Sequence, residues 1–327
     1  MTGTAWFLTP DSPVPTGGIR TIYRFVDHLV AAGIPAWVVH ERRGFRCRWF
    51  ESNTPVTWLE DVRLGTGDLI VVPEISVTTV ARRWPGVPIL ILNQNPYLTF
   101  LGAGVPPEPA PDVLPDDVVS IATVSDDAVD YLTLAFPGTR IDRIHYGIDP
   151  RLFHPPDGPK ERALAFMPRK RAEDLFQVLR ILERRQSLTG WRLYPIGNLP
   201  ERETARVLRR TAIFLSFNDR EGFGLPPVEA MASRCVVVGF AGQGGEEYLR
   251  PDTGFPVREG SITDFVRAVE EVTSAWDEGE RYDDLTSKAA TFVASRYSPE
   301  HERDDIVRIF SSALATVADV VPRTTTL

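Results

Sequence analysis

Short, wholly apolar runs alternate with amphipathic stretches along this chain. The run Ala5–Leu8 is followed by a turn over 13–18, then by helical spacing over 19–32 that puts Ile22, Phe25, Val26 and Leu29 on one face. Ala36–His40 repeats the strand pattern, and further strands are predicted at 69–72, 89–92 and 119–123. These runs are rich in Ile, Val and Leu without polar alternation, as parallel strands covered on both faces should be. Ser125, Asp126 and Asp127 supply N-cap chemistry for a helix reaching residue 134.

The pattern pauses over 145–159, a stretch rich in proline that reads as an interdomain linker. It restarts with strands at 163–166, 191–196, 212–217 and 235–238 and a helix over 172–185, and the last third is helical at 262–275, 282–296 and 300–317. The residues beyond 319 offer nothing to bury and read as a disordered tail. The chain has 327 residues, more than one hydrophobic core usually serves (~250–300). The expected organisation is therefore α/β. It comprises two doubly wound parallel-sheet, Rossmann-like domains (1–145 and 146–297) facing across a cleft, followed by a C-terminal helix and tail in 298–327. In such sheets ligands bind outside the carboxyl ends of the strands, so the residues just after each strand are the ones to search.

Composition narrows the class. With 43% apolar residues the chain is an ordinary globular protein, and a formal charge of −8 argues against nucleic acid as a partner. No apolar run approaches the ~18–20 residues of a membrane span, and no signal-peptide pattern opens the chain. Cys47 and Cys235 are too few for a disulfide framework or a zinc site. These features read as a soluble cytoplasmic protein.

The strongest chemical signal is Glu221-Gly222-Phe223-Gly224-Leu225-Pro226-Pro227-Val228-Glu229-Ala230-Met231-Ala232, directly after the strand ending near Phe217. Proline suits a first helical turn, Gly222 and Gly224 allow close backbone approach, and a helix start favours an anion such as phosphate. Glu229, read as a first-turn residue, would repel a phosphate and should contact hydroxyls instead. The plainer alternative makes Glu221 a loop carboxylate and Glu229 a surface residue that suits the helix dipole.

The stretch with its two glutamates eight positions apart resembles the signature of the retaining family-4 glycosyltransferases of the GT-B fold. Thr16-Gly17-Gly18, the Ile144–Asp149 segment, Phe166-Met167-Pro168-Arg169-Lys170 and Thr253-Gly254-Phe255 agree in order. The resemblance implies transfer of a sugar from a nucleotide diphosphate sugar to a hydroxyl acceptor, such as a polysaccharide, glycolipid or natural product. It places Glu221 beside the donor sugar, Glu229 on the ribose hydroxyls, and base contacts on loops such as that of Gly197 and Asn198. The donor is a substrate, and no resident cofactor is expected.

Arg169 and Lys170 follow a predicted strand, where fixed cations can stabilise charge building on a leaving diphosphate; a basic surface turn is the alternative. Gly17 and Gly18 open the first helix without completing G-x-G-x-x-G, so a dinucleotide is not indicated. The resemblance implies that this loop closes over the donor phosphates or borders the acceptor, a plain turn being the alternative, and that the helix in 298–327 packs back on the first domain. Gly242, Gly244 and Gly245 precede what reads as a short helix, a structural feature. The resembled family often carries a His after the fourth main strand of the first domain. Here the segment is Asn93-Gln94-Asn95-Pro96-Tyr97, so Gln94 or Asn95 is the candidate for positioning sugar or acceptor, without titrating. His40 and His145 read as packing residues. No D-x-D metal motif occurs, and metal-independent turnover is expected. The segment from Arg42 to Phe50 mixes four cations with three aromatics. It reads first as a strand with a solvated face, and then as a grip on an anionic acceptor or a peripheral contact with an inner membrane face. Two rival functions stay open: a GT-B sugar-nucleotide epimerase, and a non-catalytic nucleotide-binding relative.

Overall fold

Strands with both faces apolar can only be buried between layers of helices, and two such sheets form here. The computed structural model describes residues 3–101, 113–276 and 282–319. The chain divides into two compact units, Met1–Tyr146 with Glu300–Leu327, and Gly147–Pro299.

The first unit contains β1 (Ala5–Leu8), α1 (Gly17–Ala31), β2 (Ala36–His40), β3 (Val56–Trp58), β4 (Leu69–Pro73), α2 (Val77–Arg83), β5 (Ile89–Asn93), β6 (Val118–Thr123), α3 (Asp126–Ala135) and β7 (Ile141–Arg143). Its sheet runs β3-β2-β1-β4-β5-β6-β7, all parallel. The second unit contains β8 (Glu161–Phe166), α4 (Ala172–Arg184), β9 (Arg192–Pro195), α5 (Glu201–Arg210), β10 (Thr211–Phe217), α6 (Leu225–Ala232), β11 (Val236–Phe240), β12 (Phe255–Pro256), α7 (Ile262–Ser274) and α8 (Asp283–Arg296). Its parallel sheet runs β12-β11-β10-β8-β9. In both sheets the order reverses beside the first strand, between β1 and β4 and between β8 and β10. At such a switch point successive loops part in opposite directions and leave a crevice at the carboxyl ends.

The main strands fall where the apolar runs predict them, and Ser125 caps α3 by accepting the Ala128 N–H at 3.1 Å. The short β3, β7 and β12 were not predicted, nor were α2 and α5. Each lacks a long apolar signature: α5 buries only Thr204, Ala205 and Leu208 among its charged residues. The stretch 145–159 holds the boundary between the units and is itself packed: Tyr146, Ile148 and Phe153 are buried and the Ile148 N–H donates to the Tyr297 carbonyl at 2.8 Å. One expectation needs correction. After Gly245 the chain makes turns rather than a short helix. The expected disordered tail lies outside the described residues.

His40 is fully buried at the end of β2, where its Nε2 meets the Tyr23 hydroxyl at 2.7 Å and its Nδ1 meets Asp11 at 3.0 Å. Burial pushes its pKa down, against the pull of Asp11. In the 42–50 stretch, Arg42 pairs with Asp11, Arg43 with Glu60 and Asp61, and Arg46 with the Ser52 carbonyl. Among the described residues only Arg48 of these four cations has no such partner, so most of the segment's charge is met locally.

The last helix, α9 (Pro299–Asp319), belongs almost entirely to the first unit. Phe310 stacks on Phe7 of β1 with ring centroids 5.1 Å apart. Glu302 is fully buried and takes Arg24 Nε at 2.5 Å, Arg24 Nη2 at 2.6 Å and His28 Nε2 at 3.0 Å. Removing one partner of a buried pair strands the other's charge. Glu302→Ala is therefore expected to destabilise the first unit by about 3 kcal/mol, read from urea unfolding. Asp305 accepts from the His145 N–H at 3.0 Å and from its ring at 2.8 Å. Burial alone would raise the Asp305 carboxyl, but the bonds from His145 and Arg308 outweigh it and hold it at about 2, against 3.8 unperturbed. A depressed carboxyl stabilises fully above its unfolded pKa and loses that contribution as pH falls through the folded one. Acid titration of the unfolding free energy should show a loss of about 2 kcal/mol between pH ~4 and ~2 that is absent in Asp305→Asn.

Candidate active site

The switch point of the second sheet gathers the strongest sequence signals. After β8 the chain turns through Arg169 and Lys170, with the Lys170 N–H donating to the Met167 carbonyl at 3.3 Å, and enters α4 through Arg171 in the left-handed region (φ 41°). After β10 it runs through Asn218 to Gly224 before α6 begins. Lys170 Nζ and a Glu221 carboxylate oxygen form an ion pair that joins these two loops. Burial, followed by the neighbouring Arg169 charge, pushes the Lys170 pKa down, and Asp219 acts in the opposite direction. Arg169 is exposed and has no ion-pair partner among the described residues.

Glu221 is held by its backbone. Its N–H donates to the Gly242 carbonyl at 2.9 Å, and its carbonyl accepts the Gly244 N–H at 3.2 Å. This pairing works because the residues alongside have no side chain. A Cβ on Gly244 would lie 2.1 Å from the Gly222 carbonyl oxygen, and one on Gly224 would lie 2.3 Å from Asn218 Nδ2. Gly224 also has φ +84°, which a residue with a Cβ rarely adopts. Below the loop, buried Tyr248 donates its hydroxyl to the Phe223 carbonyl at 2.7 Å, with the Gly224 carbonyl at 2.8 Å. Burial raises the Tyr248 pKa well above that of a free phenol, which keeps the hydroxyl a donor.

The helix start differs from expectation in two respects. Glu229 is the fifth residue of α6, whose first turn holds no acidic residue, and it is only 3% exposed, so it is neither a first-turn nor a surface group. Pro226 and Pro227 have no N–H, so of the first three helical positions only Leu225 can offer one to an anion. The Phe223 and Leu225 side chains are buried, which leaves their backbone as the part available to a ligand. Gly197 and Asn198 follow β9, with Asn198 at φ 53°.

In the first unit the predicted residues are tied to one another. Gly17 and Gly18 open α1, and a Cβ on Gly18 would lie 2.6 Å from Gln94 Oε1. Gln94 Nε2 reaches the Gly18 carbonyl at 3.1 Å, Thr21 Oγ1 at 2.8 Å and the Tyr146 hydroxyl at 3.2 Å. Asn95 Oδ1 accepts the Tyr97 N–H at 3.1 Å and caps the short turn Pro96–Leu98. Both amides therefore have internal duties. The sequence reading passed over Asn218, Tyr248 and Glu74. Glu74 directly follows the apolar strand β4 and accepts the Gln94 N–H at 3.2 Å, and burial pushes its carboxyl up to about 7. Its place at a strand's carboxyl end was the available signal.

Residues 166–291 match the family model described as glycosyl transferases group 1. An alpha-1,6-glucosyltransferase of Actinobacillus pleuropneumoniae serotype 7 is 27% identical over 277 residues, covering 80% of each protein. Among solved structures, sucrose-phosphate synthase from Thermosynechococcus elongatus superposes with a TM-score of 0.71 at 12% identity, over 96% of this chain and 100% of that one. Anabaena HepE in complex with UDP-glucose gives 0.67 at 14% identity, over 94% and 99%. The fold is GT-B, two parallel-sheet α/β domains, and the comparisons jointly support a glycosyltransferase.

The backbone pairing beneath Glu221 gives a direct test. Gly244→Ala should force the two loops apart, costing about 2–3 kcal/mol of stability, read by chemical unfolding.

Proposed function

We propose that the protein transfers a sugar from a nucleoside diphosphate sugar to a hydroxyl acceptor, with retention at the anomeric carbon and without a divalent metal. The observation that carries this reading is the Lys170–Glu221 pair spanning the switch point of the second sheet. In the free protein the two charges satisfy each other. An arriving diphosphate competes for Lys170, adds Arg169 as a second cation, and frees the Glu221 carboxylate to accept hydrogen bonds from sugar hydroxyls. The Leu225 amide, the Gly222–Gly224 backbone and the positive end of α6 complete an anion site. Glu229 is the candidate for the ribose hydroxyls, and its burial confines that role to a ligand lying flush against the helix. Gly197 supplies backbone beside the base.

In the reaction the sugar–phosphate bond breaks and a bond forms from the acceptor oxygen to the same sugar carbon on the same face. The leaving diphosphate oxygen takes the acceptor's proton. Negative charge grows on that oxygen, and cations already fixed beside it stabilise the transition state more than the ground state. The glucosyltransferase relative and the UDP-glucose complex of HepE support UDP-glucose as the first donor to try.

With UDP-glucose and an accepted hydroxyl compound, Arg169→Ala and Lys170→Ala are each expected to lower turnover by roughly 10²–10³, about 3–4 kcal/mol. Activity within threefold of the parent in both would overturn the assignment. Proton NMR of the product should show the donor's α configuration, at a rate unchanged by EDTA. A sugar-nucleotide isomer formed without acceptor would mark an epimerase instead, and UDP binding without transfer a non-catalytic relative.

A further inference from the structure

The switch point of the first sheet, between β1 and β4, carries a group of different character. Glu74 is the first residue after β4, and the Gly17–Gly18 turn of α1 follows β1. Gln94, after β5, joins the two, since its N–H donates to Glu74 at 3.2 Å while its side-chain amide reaches the Gly18 carbonyl at 3.1 Å. The backbone N–H groups of Asn95 and of Glu74 itself also face the carboxylate. Among the described residues no Arg, Lys or His pairs with Glu74. Carboxylates elsewhere in the unit, such as Asp11, Glu60, Glu302 and Asp305, all have such a partner. The backbone donors around Glu74 offset only part of the burial, so a carboxylate without a cation stays costly here unless a ligand supplies further donors or the group holds a proton. Two further polar atoms at the same end of this sheet, Thr16 Oγ1 and Asn93 Oδ1, are buried with no hydrogen-bond partner among the described residues.

These atoms share a chemistry: each can accept a hydrogen bond, and among the described residues none of them pairs with a cation. Neutral alcohols donate to such groups, whereas phosphates and carboxylates are repelled by Glu74. We propose that Glu74 binds the acceptor substrate, a neutral polyol such as a sugar, by receiving hydrogen bonds from one or two adjacent hydroxyls, and that it selects against phosphorylated acceptors. This inference rests on the glycosyl-transfer reading. It takes over the positioning duty that the sequence assigned to Gln94 and Asn95, whose amides are occupied within the unit. A carboxyl titrating near neutrality suits the role, since it accepts when ionised and also donates when protonated.

The test uses the full chain and two independent readouts. Ligand-observed NMR titrations with the methyl α-glycosides of glucose, galactose and mannose, and with glucose 6-phosphate, report on Glu74. Thermal shift by UDP reports on the second unit. The parent protein should bind at least one neutral glycoside more tightly than the sugar phosphate. Glu74→Gln keeps an oxygen for the Gln94 N–H and should weaken glycoside binding at least tenfold, with the UDP shift unchanged. Glu74→Asp, which keeps the charge but draws it back, should fall between the two. Glycoside affinity within twofold in Glu74→Gln, no glycoside binding by the parent, or preference for the phosphate would overturn the inference. An absent UDP shift in the parent would count instead against the reading of the second unit.

Discussion

The candidate site depends on two backbone segments that approach closely because no side chain stands between them. Glu221 exchanges hydrogen bonds with Gly242 and Gly244, and the bare Cα of Gly244 leaves room for that contact as that of Gly224 does for Asn218 and Tyr248 beneath it. Both loops leave adjacent parallel strands, β10 and β11, so their anchoring extends into the sheet. Without this pairing Glu221 would sit on a flexible glycine loop, and its approach to Lys170 would have to be found anew at each binding event. The glycines thus turn a mobile sequence into a rigid mount for a charge. That rigidity is what lets electrostatic stabilisation act without reorganisation at the moment of reaction.

The two sheets apply one topological rule to different chemistry. Each reverses its strand order beside its first strand, and each places its polar residues at the reversal. In the second unit the residues there are a cation pair and a carboxylate, suited to an anion next to hydroxyls. In the first they are hydrogen-bond acceptors that pair with no cation among the described residues. A parallel sheet fixes where a ligand can sit, and the residues at the strand ends decide which ligand it is.

Much of this was legible in the sequence. Fully covered strands leave continuous apolar runs, so β1, β2, β4, β5, β8 and β10 could be read directly, as could the Ser125 cap and the glycine-flanked Glu221. What escaped has physical reasons. The three-residue β3 and β7 are edge strands of mixed polarity, and the helix α5 is nearly all charged with a narrow buried stripe. Glu229 was misread because its turn number depends on where α6 begins, and Leu225 as first residue puts it one turn further in. Glu74 was passed over because a lone acidic residue after a strand carries no motif. Its meaning comes from the absence of a cation around it, which is a property of three dimensions.

The return of α9 to the first unit makes the second unit an insertion within the first. A ribosome therefore releases every residue of the second unit before Phe310 and Glu302 exist to cover β1 and α1. The nascent first unit must wait with that face open while its neighbour completes itself. The boundary at Tyr146 is for the same reason no place to divide the gene, because a fragment ending there would lack the helix that closes its own core.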